Sequence, residues 1–460
     1  MRYIQYPERK LACDEWDVVV VGGGPAGCAA AVAAGESGAK VILLERTCAL
    51  GGMGTSALVP AWTPYSDQVR QIQQGFAARV LSESKKGTPH VSEDKLDWVP
   101  IAPEHLKRVY DNFTAEAGVR VRFDTVLAGV ITDRKGRVEA LVTADKKGLR
   151  AVSGKVFIDA TGDADVVFRT GVTMHHGDDA GGELMPATMC FTLANVHGFE
   201  EGLLPAVKTK GPDGKILIQR ILADGKYPEI PDEHICMAWA GPGCVGFNAG
   251  HIYGVDNTDP DSVSKAVATG RRLAKAYRDA LAEYCPQWFG DAFLVNTGTL
   301  LGVRETRRII ADYEVTIHDY MARKTFPDEI CRNSYFIDIH LMKEKANPEK
   351  CHAAIVTDDQ PSDWERRVHS RFEKYGPGES HGIPYRSLCP KGLRNVLVAG
   401  RCIGTDRAVN GSVRVMPVCL NTGEAAGVAA ARAATLDGDI HLVDTQWLRG
   451  KIKERGGYIL

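Results

Sequence analysis

The first strong pattern along the chain is Trp16 to Gly22 (WDVVVVG), a short β-branched run closed by glycine. Such a run reads as a parallel strand buried on both faces. Pro25 to Glu36 is alanine-rich and predicts a helix whose small residues allow close packing, and Lys40 to Glu45 (KVILLE) predicts a second buried strand. Strand, glycine turn, helix and strand within about 30 residues make the βαβ unit of a dinucleotide-binding domain. Further on, Val119–Phe123, Val126–Thr132, Val138–Thr143 and Ala151–Ile158 read as strands, with a charged turn at Asp133–Gly136. That succession predicts a β-meander rather than another βαβ repeat.

The middle of the chain, roughly Gly171 to Glu379, has mixed character, with polar turns around Asp178–Glu183 and Lys208–Lys215 and clear helical periodicity over Ser262–Tyr284. A Gly/Pro-rich stretch, Tyr375–Pro384, then precedes a strand at Val396–Ala399 and an alanine-rich helix at Gly423–Thr435. Nucleotide-binding elements thus stand at both ends. The expected organisation is a first part over 1–170, an inserted substrate lobe over 171–380, and a returning part over 381–460.

The segment Gly22-Gly23-Gly24-Pro25-Ala26-Gly27 is a G-x-G-x-x-G between predicted strand and helix. Gly22 permits the tight turn, Gly24 lets a pyrophosphate approach the backbone, and Gly27 lets helix and sheet pack closely. The helix N-terminus offers unpaired N–H groups to phosphates. Glu45, ending the second strand, is placed to accept from ribose hydroxyls. Gly241-Pro242-Gly243-Cys244-Val245-Gly246 fits the same pattern but runs into Phe247–Val255, which reads as extended. It is taken as a glycine-rich turn, leaving one dinucleotide site and no second unit for NAD(P)H.

Composition narrows the class. The chain has 460 residues, enough for two lobes, with 44% apolar and 25% charged residues. A formal net charge of −2 argues against a nucleic-acid partner. No apolar run approaches the roughly 20 residues of a membrane span. Met1–Lys10 carries no apolar leader, so a cytoplasmic location without membrane attachment is expected. The twelve cysteines contain no C-x-x-C pair and read as reduced, mostly buried residues. Neither a disulfide framework nor a metal site is expected.

Further segments carry a family resemblance. Leu50-Gly51-Gly52-Met53-Gly54 resembles the Gly-Gly turn beside the flavin in glutathione-reductase-like flavoproteins. Ile158-Asp159-Ala160-Thr161-Gly162-Asp163 resembles their second cofactor motif, and Asn395 to Arg401 (NVLVAGR) resembles the strand that closes the flavin site. Gly411 to Pro417 (GSVRVMP) then leads to Gly423-Glu424-Ala425-Ala426-Gly427, which resembles the helix whose N-terminus faces the flavin. With Gly302–Arg308 (GVRETRR) and Ile383–Leu388 (IPYRSL), these resemble the FAD-dependent oxidoreductase family of bacterial flavoproteins. The resemblance implies an α/β fold with an α+β insert, namely a discontinuous glutathione-reductase-type three-layer FAD-binding fold. It also implies non-covalent FAD. The residues it assigns to the cofactor are Gly22, Gly24, Pro25, Ala26 and Gly27 in the loop, and Glu45, Arg46, Gly52, Met53 and Val126 beyond it. Ala160, Gly162, Asp163, Gly400, Arg401, Arg414, Met416 and Gly423 complete the set.

Several flavoenzyme chemistries are argued down. Disulfide reductases need a cysteine pair after the first βαβ unit, where only Cys48 stands; covalent flavinylation near that unit lacks a histidine, the first being His90. The His-Thr-Gly segment of fumarate-reductase-like enzymes and the tryptophan-rich motif of halogenases are not found. For acid–base work, Asp338-Ile339-His340 places a carboxylate and an imidazole on one face of a predicted strand; a purely structural Asp–His hydrogen bond explains the pair equally. Arg304, Arg307 and Arg308 form either a clamp for a carboxylate or phosphate, or an interlobe salt-bridge network with Glu305, Asp312 and Glu314. His251 is a further candidate that a structural role would also explain. Arg386, Arg401 and Arg414 flank the return to the FAD lobe, with Arg414 expected nearest the flavin ring. The expected function is hydride transfer between a small organic substrate and FAD, with oxygen, a quinone or a carrier as electron partner. A flavin-dependent RNA-modifying enzyme and a flavin-binding protein without turnover are the alternatives.

Overall fold

A computed structural model describes residues 10–133, 135–178, 182–198, 207–340 and 374–460. Parts of two expected turns, Asp133–Gly136 and Asp178–Glu183, lie outside the described residues. Strands β1 (Cys13–Val21), β2 (Val41–Leu44) and β3 (Arg120–Arg122) run parallel in the order β3-β2-β1. The meander follows as β4 (Val126–Thr132), β5 (Val138–Asp145) and β6 (Gly148–Asp159). The long β6 joins two structures. Its first half pairs antiparallel with β5, while its second half runs parallel between β1 and the late strand Val396–Val398.

The register of this sheet positions the site. Val21 stands opposite Leu44 on one side and Asp159 on the other, and Asp159 opposite Val398. The carboxyl ends of four parallel strands therefore meet at one edge, where open α/β sheets bind ligands. Helix α1 (Pro25–Glu36) lies against the helix Met416–Ala433 with almost no space between backbones. A Cβ added to Gly423 would sit 2.1 Å from Ala26 O, and one added to Gly427 would sit 2.2 Å from Ala30 O. That second helix begins at Met416, earlier than the alanine-rich stretch alone indicates, because Pro417 is tolerated in the first turn, where its missing N–H costs nothing.

A separate apolar core spans Ala187 to Val303. Its four antiparallel strands follow the order Phe293–Thr297, Phe191–Ala194, Cys244–Ala249, Ile235–Gly241. The helix Pro260–Tyr284 covers them, and Phe191 stacks on Phe247 at 4.9 Å. The second glycine-rich sequence, Gly241–Gly246, is the hairpin between two of these strands, as its extended flank suggests. The chain then returns to the first core through Arg307–Ile309, which pairs with Met174–His176, and Glu329–Asn333, which pairs with His381–Pro384. Among the described residues all cysteines are free, and no helix is long and apolar enough to cross a membrane.

Candidate functional site

One cavity of about 1180 Å³ opens at the strand ends and runs to the four-stranded sheet. Its first end is made mostly of backbone. Gly22 takes φ +97°, a left-handed conformation that favours glycine, and a Cβ there would meet Ala160 O at 2.5 Å. A Cβ on Gly27 would lie 1.7 Å from Gly22 O, so the loop folds back onto its own helix. Gly24 differs: a Cβ there meets no atom within 4 Å and would project into open space. This cradle suits a pyrophosphate, because the first-turn amides of α1 have no intrahelical acceptor.

The Glu45 carboxylate accepts from Gly23 N–H at 2.6 Å and Thr47 N–H at 2.7 Å, holding the loop against the end of β2. Gly51 donates to Gly23 O at 2.8 Å, which fixes the Gly52–Gly54 turn beside the loop. Opposite, Arg401 donates to Asp163 at 2.8 Å, while Thr306 and Asn257 donate to the same carboxylate. Burial opposes the Asp163 charge, but Arg401 and these donors outweigh it and hold the carboxyl below its ordinary value. Arg401 Nε, buried, has no partner among the described residues. The residues present therefore fit FAD: an open glycine cradle, two helix N-termini, a ribose-side carboxylate and an unspent guanidinium donor.

The other end is made of side chains. His251 Nδ1 lies 3.0 Å from Asp232, and His251 Nε2 lies 2.8 Å from His340 Nδ1. His340 Nε2 lies 3.2 Å from Asp338, which also accepts from Arg414 at 3.0 Å. His234 stacks on His251 with ring centres 4.4 Å apart. Arg304, buried, donates to Pro186 O at 2.6 Å and Thr188 Oγ1 at 3.0 Å. Burial would raise the Asp338 carboxyl, but His340, Arg414 and Arg304 overcome it and keep the group well below the carboxylate range. Burial, reinforced by Arg304, pushes His340 down to about 3, and burial also lowers His251 and His234. Arg304 itself is brought down to about 10 by burial and by Arg414. A carboxylate only accepts, so Asp232 fixes a proton on His251 Nδ1 and Asp338 fixes one on His340 Nε2.

Of the residues singled out in the sequence, the cavity gathers Gly22, Gly24, Pro25, Ala26, Glu45, Arg46, Gly52, Met53 and Val126. It also gathers Ala160, Gly162, Asp163, Gly400, Arg401, Arg414 and Met416, together with Arg304, His251, Asp338 and His340. Gly27 and Gly423 stand behind the wall in backbone-to-backbone packing. Asp338 and His340 meet as expected but lie in irregular chain after Asn333, not in a strand. The three-arginine cluster disperses. Arg304 reaches the cavity, Arg307 pairs with Asp165, and Arg308 lies 3.6 Å from Glu305 and donates to Gly177 O. Asp312 pairs with His441 and Glu314 with His175 instead. Arg386 pairs with Asp328 away from the cavity. The sequence reading missed Asp232 and His234. Their signal was present, since Asp232-Glu233-His234 repeats the D-x-H spacing of Asp338-Ile339-His340.

A stretch of 106 residues is 36% identical to the fumarate reductase (cytochrome) of Shewanella frigidimarina, covering 22% of this chain and 18% of that protein. A stretch of 167 residues is 29% identical to digeranylgeranylglycerophospholipid reductase 1 of Methanopyrus kandleri, covering 34% of this chain and 42% of that one. Each match thus spans less than half of the curated relative. Among solved structures, a geranylgeranyl bacteriochlorophyll reductase-like protein from Thermoplasma acidophilum aligns at 14% identity and TM-score 0.46, over 96% of this chain and 84% of its own. Residues 17–452 match the family model of the FAD dependent oxidoreductases, and the chain belongs to that family: it is an enzyme whose cofactor is FAD.

Proposed function

We propose that the enzyme transfers a hydride between FAD and a small, oxygen-bearing organic substrate seated at the side-chain end of the cavity. The observation that carries this reading is the continuity of one cavity from the glycine cradle to the Asp/His/Arg cluster. When bound, FAD supplies the hydride acceptor or donor. The rest falls to the chain. Arg304 and Arg414 bring two guanidinium groups to the wall, and Arg414 Nε, buried, has no partner among the described residues. They suit an anionic or strongly polar substrate group. His251 and His340, their outer nitrogens fixed by carboxylates, meet through His251 Nε2 and His340 Nδ1 at 2.8 Å, and this pair holds a proton as the substrate gains or loses one. Trp98, Trp239 and Phe336 give the neighbouring wall its apolar surface.

A single dinucleotide-binding unit is present among the described residues, which favours a separate electron partner such as oxygen, a quinone or a carrier. The test is anaerobic mixing of the FAD-loaded enzyme with a panel of hydroxy acids, amino acids and enones, before and after chemical reduction. Bleaching or recovery of the flavin colour by one class is expected. A flavin that no small molecule reduces or reoxidises would favour a binding protein without turnover.

A further inference from the structure

We propose that Trp98 is the specificity-determining residue of the enzyme, stacking on a planar aromatic ring that the substrate carries beside its anionic group. This rests on the proposed function and deepens it by naming a substrate class, the aryl-bearing organic acids. Two observations carry it: the backbone conformation of Trp98 and the rings that share its stretch of cavity wall.

Trp98 takes φ +54°, in the left-handed region that favours glycine and where a bulky side chain is rare. Its side chain is 51% exposed, so core packing does not explain why tryptophan holds the position. Trp62, close by in the chain, is the opposite case: fully buried, it donates from Nε1 to Ser84 Oγ at 3.0 Å. The conformation of Trp98 is imposed from both sides. Before it, Asp97 accepts from the Tyr65 and Ser66 amides at 3.0 Å each and from Ser66 Oγ at 2.6 Å. After it, Val99 O accepts from Trp62 N–H at 2.8 Å, and Ile101 N–H donates to Pro60 O at 2.9 Å. A strained backbone pinned on both sides, displaying an apolar ring at a cavity wall, marks a binding position.

The ring has company. Trp239 and Phe336 line the same cavity from two other segments. Trp239, in the four-stranded sheet, is fixed by His90 from the loop that precedes Trp98. His90 Nε2 lies 2.9 Å from Trp239 O, and the two ring centres are 4.0 Å apart. Tyr335 meets Trp98 edge-on with ring centres 6.3 Å apart, and its ring centre is 4.4 Å from that of Phe336. Ser334 ties this segment back to the Trp98 side, its Oγ donating to Ser66 O at 2.8 Å. Rings from three segments present flat faces and edges, which favour a planar π system over an aliphatic group of equal area. Asp338 follows Phe336 by two residues, at most about 7 Å of chain, and accepts from Arg414 at 3.0 Å. A substrate ring on the aromatic wall thus leaves its acidic group within reach of the Arg414 guanidinium.

The experiment uses the full-length, FAD-loaded enzyme and three unreactive acids: phenylacetate, cyclohexylacetate and acetate. Binding is measured by calorimetry, which needs no turnover. Phenylacetate should bind on the order of 50-fold tighter than acetate, through the ring area it buries. It should bind about 3–10-fold tighter than cyclohexylacetate, through stacking. Trp98→Gly, whose backbone accepts the positive φ, should lose the preference over cyclohexylacetate, and Trp98→Phe should restore most of it. FAD content and circular dichroism monitor folding. Failure of phenylacetate to bind the wild-type enzyme, or binding no tighter than cyclohexylacetate, would overturn the inference. So would an unchanged preference in Trp98→Gly, or loss of FAD from a folded Trp98→Gly, which would assign the ring to the cofactor. Failure of hydride transfer is read separately, in the anaerobic flavin assay. Phenylacetate binding that depends on Trp98, with a flavin that no small molecule reduces or reoxidises, would leave the ring site standing without that reaction.

Discussion

The two ends of the cavity are built from different materials. The cradle end is backbone: a glycine loop, two helix N-termini, and small residues that let α1 and Met416–Ala433 touch through Gly423 and Gly427. Its phosphate cradle works by the absence of side chains, with Glu45 on one side and the Arg401–Asp163 pair on the other. The cluster end is side chain throughout, with Asp232, His234, His251, Arg304, Asp338, His340 and Arg414 brought in from separate segments and tuned by one another. A backbone site fails when atoms are added. A side-chain site fails when a partner is removed, and its neighbours then lose their protonation or orientation. Damage to the two ends is therefore separable.

The largest expected effect comes from Gly27→Val. Its Cβ would collide with Gly22 O, so unfolding in urea should show a loss of more than about 3 kcal/mol, or no folded protein at all. Gly24→Val sharpens the contrast, since a Cβ there meets no protein atom within 4 Å. Stability should be nearly unchanged while FAD binding, measured by fluorescence titration, weakens by about 3 kcal/mol as phosphate contacts are displaced. At the other end, Asp338→Asn removes the group that fixes the His340 tautomer. Turnover with a substrate found in the anaerobic panel should fall on the order of 100-fold while FAD affinity holds.

The smallest effect is read by pH, and it lies outside both ends. His381, fully buried and bonded through Nδ1 to the Tyr375 hydroxyl, is pushed down to about 3 by burial and by Arg332. Its folded pKa lies below the unfolded value of about 6.5, so the unfolded chain takes up the proton first. Stability is thus complete above about pH 6.5 and lost as pH falls toward 3, by about 2 kcal/mol at pH 5. Urea unfolding of His381→Gln should show a flatter acid limb than the parent protein. An unchanged limb would assign the acid sensitivity to the cluster histidines instead.

How far each end could be read from the chain follows from the same contrast. The cradle is written in consecutive residues, so Trp16–Glu45 yields strand, loop, helix, strand and the terminal carboxylate at once. Local periodicity also gives the strand Val126–Thr132 and the long helix Pro260–Tyr284 to within a few residues. The helix expected over Gly423–Thr435 starts instead at Met416, because its alanine-rich part does not mark the first turn that Pro417 occupies. Local pattern also cannot say that Arg304 turns inward while Arg307 and Arg308, three and four residues on, serve Asp165 and Glu305. His234 meets His251 and His340 only through the tertiary fold, and Asp338 and His340 align without the strand that their spacing suggests.

The most direct test is a paired measurement of FAD affinity in Gly24→Val and His340→Gln, each checked for native folding. If FAD rests on the glycine cradle and the chemistry on the cluster, Gly24→Val loses FAD and His340→Gln binds it like the parent protein. Full FAD binding by Gly24→Val, or its loss in a folded His340→Gln, would contradict that division of the cavity.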